Sequence, residues 1–503
     1  MGKNDIATEF YQRAQYYKNL FDPSTNFFRG KKGGCFVTPF DPTQVNFMLT
    51  EANTWQYNFF APQDINGHID LMGGKRAYEQ KLNELFLASS KMTGRVQSDI
   101  TGLIGQYAHG NEPSHQMAYL YDFVGKPIKT QRLVNKIMNE LYTDQPDGLC
   151  GNEDCGQMSA WYVMSAMGFY PVTPASGYYV IGVPHFEAMT LNLENGKQFH
   201  VVAKNISHEN RYIKSVRLNG KELKRSYIYA EEILKGGKLV FEMTNQRNSL
   251  WGTDEMSWPT QSIEKQYDIV AAPYIEALAF VFFKSQSISL HHLDKDAEIY
   301  YTIDGSDPLS NGTRYEKPFE IDKTTDIKVV AKKDGKTSEV IEGSFKKISD
   351  ERKITLGTEY NTQYEAGGDI ALIDLQRGNH NFRVGTWQGY YGVDIVATVD
   401  LGNCLDITRL AGSFLQDQGS WIFMPSQVEF FVSNDGKRFT SIGIAKNEVA
   451  LDTEEPVIQE LEIRKNVSAR YVRMVAKNMG NCPEWHVGAG YPSWIFCDEF
   501  IIE

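Results

Sequence analysis

No run of about 18 consecutive apolar residues occurs in the sequence, so no segment reads as a membrane-spanning helix. The first residues, MGKNDIATEFYQRAQYYKNLF, lack the apolar stretch of a secretory signal peptide. Positive charge is in deficit: 51 Lys and Arg stand against 63 Asp and Glu, a net charge of −12. A chain of that sign has no cation excess to displace the counterions of a nucleic acid, which excludes that class of partner. Cysteine is scarce, with six residues at 35, 150, 155, 404, 482 and 497 and no CxxC pair, too few for a disulfide scaffold and no guide to the redox compartment. A Walker phosphate loop, a GxGxxG turn after a strand, an HExxH helix and a GxSxG elbow are all missing. Their absence removes the commonest nucleotide, zinc-protease and serine-hydrolase readings.

The 503 residues are too many for one core and predict about three domains. Aromatic residues make up 13% of the chain, which suits β-rich domains and also suits surfaces that stack on sugar rings. Up to about residue 172 the pattern is helical. Residues 75–89 align Tyr78, Leu82, Leu85 and Phe86; residues 130–142 align Leu133, Val134, Ile137, Met138 and Leu141, with Thr130 as a plausible N-cap; residues 156–167 are a third candidate. Beyond residue 175 the period changes to two. YYVIG, MTLNL, FHVVA, SVRLNG and KLVFEM read as the strands of a β-sandwich over residues 173–272. Residues 275–348 form a second all-β unit with expected hairpin turns at Asp304-Gly305 and Asp334-Gly335. A charged linker at residues 349–353 precedes a third all-β region over residues 352–503.

Three loops of the helical part, residues 1–172, carry the polar chemistry. They are EANTWQY from Glu51, QYAHGNEPSH from Gln106, and DGLCGNEDCGQMSAW from Asp147. Each places carboxylates, amides and aromatics just before a helix, where loops held by rigid elements carry function. Simple capping explains any one of them, since a carboxylate at a helix start is stabilised by the helix dipole and Pro113 after Glu112 favours a first helical position. Three together fit glycoside hydrolysis with inversion. That reaction needs an acid on the leaving oxygen and a second carboxylate that activates water across the ring, about 6.5–9.5 Å away. Trp55 and Trp161 are candidate walls. His109 and His115, six residues apart, do not share a helix face, so a histidine metal site is disfavoured. Oxygen-rich residues, among them Asn111, Glu112, Gln116, Asn152, Glu153 and Asp154, suit a hard cation such as Ca²⁺.

YAHGNEPSHQMAYLYDFVGKP and GLCGNEDCGQMSAWYVMSAMGFYPVTPASGYYVIG resemble glycoside hydrolase family 92, the calcium-dependent inverting exo-α-mannosidases. The EANTWQYNFFAPQD stretch is similar but carries Phe59 and Ala61-Pro62-Gln63-Asp64 where the family commonly has Trp and VPHD. The resemblance implies Glu51 as general acid, Glu112 as the alternative acid and Asp154 as general base. It implies sugar contacts from Trp55, Gln56, His109, Asn111, His115, Asn152 and Glu153, and a Ca²⁺ ion with Gln116 among its ligands. The substrates implied are terminal α-linked mannose, α-1,2 in class, on N-glycans or mannan. It also implies export to the periplasm or beyond. The resemblance covers about the first 270 residues and only the C-terminal part of the family module. The expected fold is therefore a partial (α/α) helical toroid with a β-sandwich, followed by two all-β domains. An N-terminal half or an oligomer partner is expected to complete the site, and the chain alone to have little or no mannosidase activity; a non-catalytic carbohydrate-binding fragment is the alternative. Residues 275–348, through IYYTIDGSDP, resemble the small β domain at the C-termini of chitobiases and hexosaminidases. Residues 352–503, through VEFFVSNDGKRF and SARYVRMVAKN, resemble the discoidin family, jelly rolls that bind sugars at one end, often beside a structural Ca²⁺. Trp387, Tyr390, Trp421, Trp485 and Trp494 are its candidate loop aromatics.

Overall fold

The structure, a computed structural model, describes residues 3–247, 249–348 and 352–503. Residues 349–351 of the expected charged linker lie outside the described residues. The helix Lys75–Leu87 buries Tyr78, Leu82, Leu85 and Phe86, the face its periodicity marks. The helix Pro127–Glu140 buries Leu133, Val134, Ile137 and Met138. It begins one turn earlier than expected. Proline takes the first helical position, where its missing N–H costs nothing, and Thr130 lies inside the helix, fully buried, instead of capping it. The helix Gln157–Ala166 buries Met158 and Trp161. Between them the 3₁₀ segment Met117–Val124 is buried at all eight positions.

These helices share one hydrophobic core with the sheet after them, running from Phe21 to Met243. That sheet orders its strands Ala188–Asn192, Gln198–Lys204, Gly237–Thr244, Tyr212–Leu218 and Lys221–Glu222. Gln198–Lys204 and Gly237–Thr244 run parallel and the remaining pairs antiparallel. Buried and exposed positions alternate along Gln198–Lys204, the signature of a sheet with one face on a core.

The next all-β unit has strands Tyr274–Glu276, Gln286–His291, Glu298–Thr302, Phe319–Ile321, Thr325–Lys333 and Ile341–Lys347 around Ile288, Ile327, Val329 and Phe345. Asp334-Gly335 turns a hairpin from Thr325–Lys333 into Lys336–Thr337, with φ of 49° and 74° at the two turn residues. Asp304-Gly305 closes no tight hairpin: the chain passes on into the short helix Pro308–Asn311, capped by Asp307. The unit's sheet is extended by residues from far upstream. Cys35 pairs in parallel with Ile275, which adds the hairpin Lys31–Lys32 with Cys35–Phe36 to the sheet edge.

The last region is a jelly-roll sandwich built on two long strands, Ile395–Gln416 and Val457–Lys477, with Trp494–Ile502 and Gln427–Ser433 beside them. Register breaks between Asp400 and Leu405 and between Ile407 and Arg409 mark bulges in the long strands. Tyr364 of this sandwich stacks on Phe47 of the helical part, centroids 5.2 Å apart and planes 15° from parallel, and Arg95 covers Phe47 at 4.6 Å. The three units are therefore joined by packed contacts as well as by the chain.

Candidate active site

The first loop is fixed by reciprocal capping. Asn53 Oδ1 accepts from the Gln56 amide at 3.3 Å, and the Asn53 amide donates to Gln56 Oε1 at 2.8 Å. This capping box starts the one-turn helix Thr54–Tyr57. Asn53 Nδ2 donates to Gln106 Oε1 at 2.8 Å, and Asn111 Nδ2 donates to the Glu51 carbonyl at 3.0 Å. The first and second loops are thereby stitched together. The second and third meet through backbone: a Cβ on Gly151 would stand 2.9 Å from the Gly110 Cα, a space only glycine leaves open. Gln157 Nε2 donates to His115 Nδ1 at 3.2 Å, and Trp161 Nε1 donates to the His115 carbonyl at 3.0 Å.

The three carboxylates are linked through shared neighbours. Burial, and then the charges of Glu51 and Glu112, oppose ionisation of Tyr57. Burial, and then the charge of Glu112, raise the Tyr170 phenol, which lies beside Gln157. Gln157 holds His115, and His115 feels Asp154. Glu51 and Asp154 are exposed and Glu112 is half-buried. Glu51 has φ of 53° and Asp154 of 52°, followed by Cys155 at 56° and Gly156 at 92°. A left-handed conformation costs a non-glycine residue about 1–3 kcal/mol and persists where surrounding contacts impose it, commonly at functional sites. Glu51 has no side-chain turn bond to lower that cost, unlike the asparagines that share this region.

Burial pushes the His109 imidazole down to about 2 and His115 down to about 4, so both are neutral near pH 7. Their tautomers follow from their partners. Tyr142 donates to the Met158 carbonyl at 3.0 Å, so its oxygen accepts from His109 Nε2 at 2.7 Å, and His109 Nδ1 accepts from Tyr107 at 2.8 Å. His115 Nε2 donates to the His109 carbonyl at 2.9 Å. His109 is fully buried with both nitrogens occupied, and its expected sugar contact is replaced by a place behind the site. Trp55 is buried against Phe27, centroids 4.6 Å apart, and Trp161 has no exposed surface; neither forms an open wall. Gln56 is closed into the capping box. Glu153 caps the helix Gln157–Ala166, accepting from the Ser159 amide at 3.1 Å and its hydroxyl at 2.9 Å. Asn152 Nδ2 donates to Asp99 at 3.0 Å. Tyr57 and Tyr170, within electrostatic reach of the carboxylates, and Gln157, bonded to His115, were not singled out by sequence, although Tyr57 and Gln157 lie inside the polar loops.

Gln116 is buried, and its amide nitrogen donates to the Pro113 and Phe59 carbonyls at 3.0 and 3.4 Å. Its one remaining oxygen does not make the shell of about six to eight oxygens that Ca²⁺ takes. Among the described residues no three His, Cys, Asp or Glu side chains are grouped to hold a metal ion. The last domain also holds buried carboxylates, beside the Arg377 guanidinium that pairs with Asp498 at 3.2 Å. Thr386 Oγ1, Asp498 Oδ1 and Glu499 Oε1 are buried oxygens without a partner. Burial raises the Glu499 carboxyl to about 9 and the nearby Asp374 to about 7. Continuing the register of Gln388 with Cys497 by two residues sets Thr386 opposite Glu499. A hard cation would satisfy such oxygens.

Of the expected loop aromatics, Trp387 and Tyr390 are buried plugs in the sandwich, and Trp421 and Trp494 are half-buried. Trp485 is 55% exposed, and Tyr491, which the sequence did not single out, is 61% exposed. The Tyr491 ring lies 5.7 Å from Trp421, whose φ is 64°. All six cysteines are free.

Residues 1–245 match the family model described as the glycosyl hydrolase family 92 catalytic domain. Residues 288–345 match the Fn3-associated model and residues 353–496 the F5/8 type C domain. A protein described as an uncharacterised secreted glycosidase from Arthroderma benhamiae is 30% identical over 279 residues, 50% of this chain and 34% of that protein. A family GH92 α-mannosidase of Bacteroides thetaiotaomicron, solved with mannoimidazole, is 39% identical with a TM-score of 0.49, covering 52% of this chain and 35% of that one. A family GH92 inverting mannosidase of Bacteroides thetaiotaomicron VPI-5482 is 37% identical with a TM-score of 0.47, covering 52% and 37%. The chain thus spans about a third of the length of each of these relatives.

Proposed function

With residues 1–245 matching the glycosyl hydrolase family 92 catalytic domain, ahead of matches to an Fn3-associated and an F5/8 type C domain, we propose that the protein hydrolyses terminal α-linked mannose, α-1,2 in class, from N-glycans or mannan. Glu51 protonates the leaving oxygen and Asp154 removes a proton from the attacking water on the opposite face, so the configuration at the anomeric carbon inverts. Glu112 holds a hydroxyl of the sugar beside Tyr57 and is the alternative acid. His115, neutral, orients Gln157 and the Asp154 loop. The observation that carries this reading is the conjunction of left-handed backbone at Glu51 and Asp154 with the hydrogen bonds that tie their loops together.

Two cavities of about 390 and 620 Å³ are lined by other residues, while Glu51 and Asp154 stand open to solvent. An open site favours slow turnover of simple mannosides and a further segment or subunit as the opposite wall. Calcium, when bound, would hold sugar hydroxyls in such enzymes, with the Gln116 side-chain oxygen as one of its ligands. In the last domain Glu499, Thr386 and Asp374 are the residues that would hold a structural Ca²⁺. The relative described as secreted supports a periplasmic or extracellular location. A second reading, a carbohydrate-binding unit without turnover, is favoured by the exposed Trp485 and Tyr491. Release of nitrophenol from an aryl α-mannoside, with and without Ca²⁺, separates the two. The hydrolase reading expects turnover that Glu51→Gln removes, with less loss on a dinitrophenyl leaving group that needs no protonation. Turnover equal in wild type and Glu51→Gln on both substrates would sink it.

A further inference from the structure

Away from the carboxylates, a cavity of about 390 Å³ opens between the helix Pro127–Glu140 and two loops of the first sandwich. That volume is at the lower end of the range of about 300–1,000 Å³ over which proteins hold small ligands. The loops are residues 184–187 and 206–211. Tyr162 links this cavity to the other site from behind. Its ring meets His185 at 6.0 Å, while Gln157 and Trp161 of the same helix meet His115.

The lining combines an aromatic face with unoccupied polar groups. Phe186 is 46% exposed, and His185 stands against it at 5.0 Å with planes 89° apart. Among the described residues the His185 and His208 rings and the Glu187 carboxylate have no hydrogen-bond or ion-pair partner, and the Arg211 guanidinium has only the Tyr212 ring at 5.9 Å. The side-chain amide of Asn135 likewise faces the cavity unbonded. Glu187 and His208 are exposed, and with His185, Asn135 and Arg211 they offer a ligand in the hollow both donors and acceptors. Burial pushes the His185 imidazole down, and the lining carries one carboxylate, Glu187, and one guanidinium, Arg211, so neither sign of charge dominates it. That disfavours phosphate, carboxylate and ammonium ligands. A carboxylate, a guanidinium and an amide beside one apolar ring suit vicinal hydroxyls on one edge of a pyranose and C–H groups on its face.

We infer that this cavity is a second carbohydrate site that takes a neutral hexose residue, separate from the carboxylate loops and from the end of the last domain. It would hold one branch of a glycan while another is presented elsewhere on the molecule. The inference does not depend on hydrolysis. The test is titration of the full chain with methyl α-mannoside, methyl α-glucoside and methyl β-galactoside, followed by saturation-transfer NMR and calorimetry. Three proteins are compared: wild type, Phe186→Ser with Arg211→Ser, and Trp485→Ala with Tyr491→Ala. The expected result is that at least one glycoside binds wild type and the last-domain variant alike, and binds the Phe186/Arg211 variant about tenfold or more weakly, the loss that about 1.4 kcal/mol produces. The thermal midpoint of each variant reports that the fold survives; should the double variant unfold, Glu187→Gln alone gives the same reading. Binding of none of the three glycosides to wild type overturns the inference, as does binding unchanged by the cavity substitutions in a folded protein.

Discussion

At the scale of single residues, Glu51 and Asp154 carry the account, and both hold left-handed backbone on exposed loops. Glu51→Gln and Asp154→Asn should each lower mannoside turnover by about 10²-fold or more, the ordinary weight of a positioned acid or base. Because both side chains are exposed, chemical denaturation should move by no more than about 0.5 kcal/mol. A loss of activity that tracks a loss of stability would remove them from the chemistry. The residue types and loops were legible in the sequence. What each side chain faces was not, because His109 and Glu153 are as polar as their neighbours yet end among Tyr107, Tyr142 and Ser159. Asp122 shows the same limit. It is fully buried, only the Thr130 and Ser226 hydroxyls stand near its carboxyl, and burial raises it from 3.8 to about 8. The folded state therefore binds its proton more tightly than the unfolded state. The stability this contributes is complete below about pH 4 and is lost as pH rises towards 8. Asp122→Asn should remove that slope and raise stability at pH 8 by a few kcal/mol, on the order of a buried charge's cost. Urea unfolding across pH 4–8 reads this out, and parallel profiles for both proteins would contradict it.

At the scale of elements, period and turn chemistry made the helices and most strands readable, since each is decided by contacts within a few residues. The exceptions have local causes. Proline drew a helix start from Thr130 back to Pro127, and Asp304-Gly305 gave way to a helix that Asp307 caps. The one-turn helix Thr54–Tyr57 is too short to stand by itself and depends on its capping box. Asn53→Ala removes the cap and the bond to Gln106 together, and should cost about 1–2 kcal/mol of stability. Mannoside turnover should fall with it, since the Glu51 loop loses its register to the second loop. A variant with full stability and full turnover would show that the box does not position Glu51.

At the scale of the whole molecule, the joints between units were invisible in the sequence. Cys35 with Ile275 and Phe47 with Tyr364 pair residues hundreds of positions apart, and no local pattern encodes such partners. The last domain's orphaned oxygens predict a response to metal. Chelation should lower the thermal midpoint of wild type, added Ca²⁺ should restore it, and Glu499→Gln should be insensitive to both. Melting curves that ignore chelator would leave Glu499 as a protonated carboxyl. The account as a whole requires carboxylates on opposite sides of one mannose ring. Proton NMR of the first sugar released from an aryl α-mannoside tests that requirement most directly. The account predicts β-mannose as the initial product, mutarotating later, and none from Asp154→Asn. Initial release of α-mannose would contradict it.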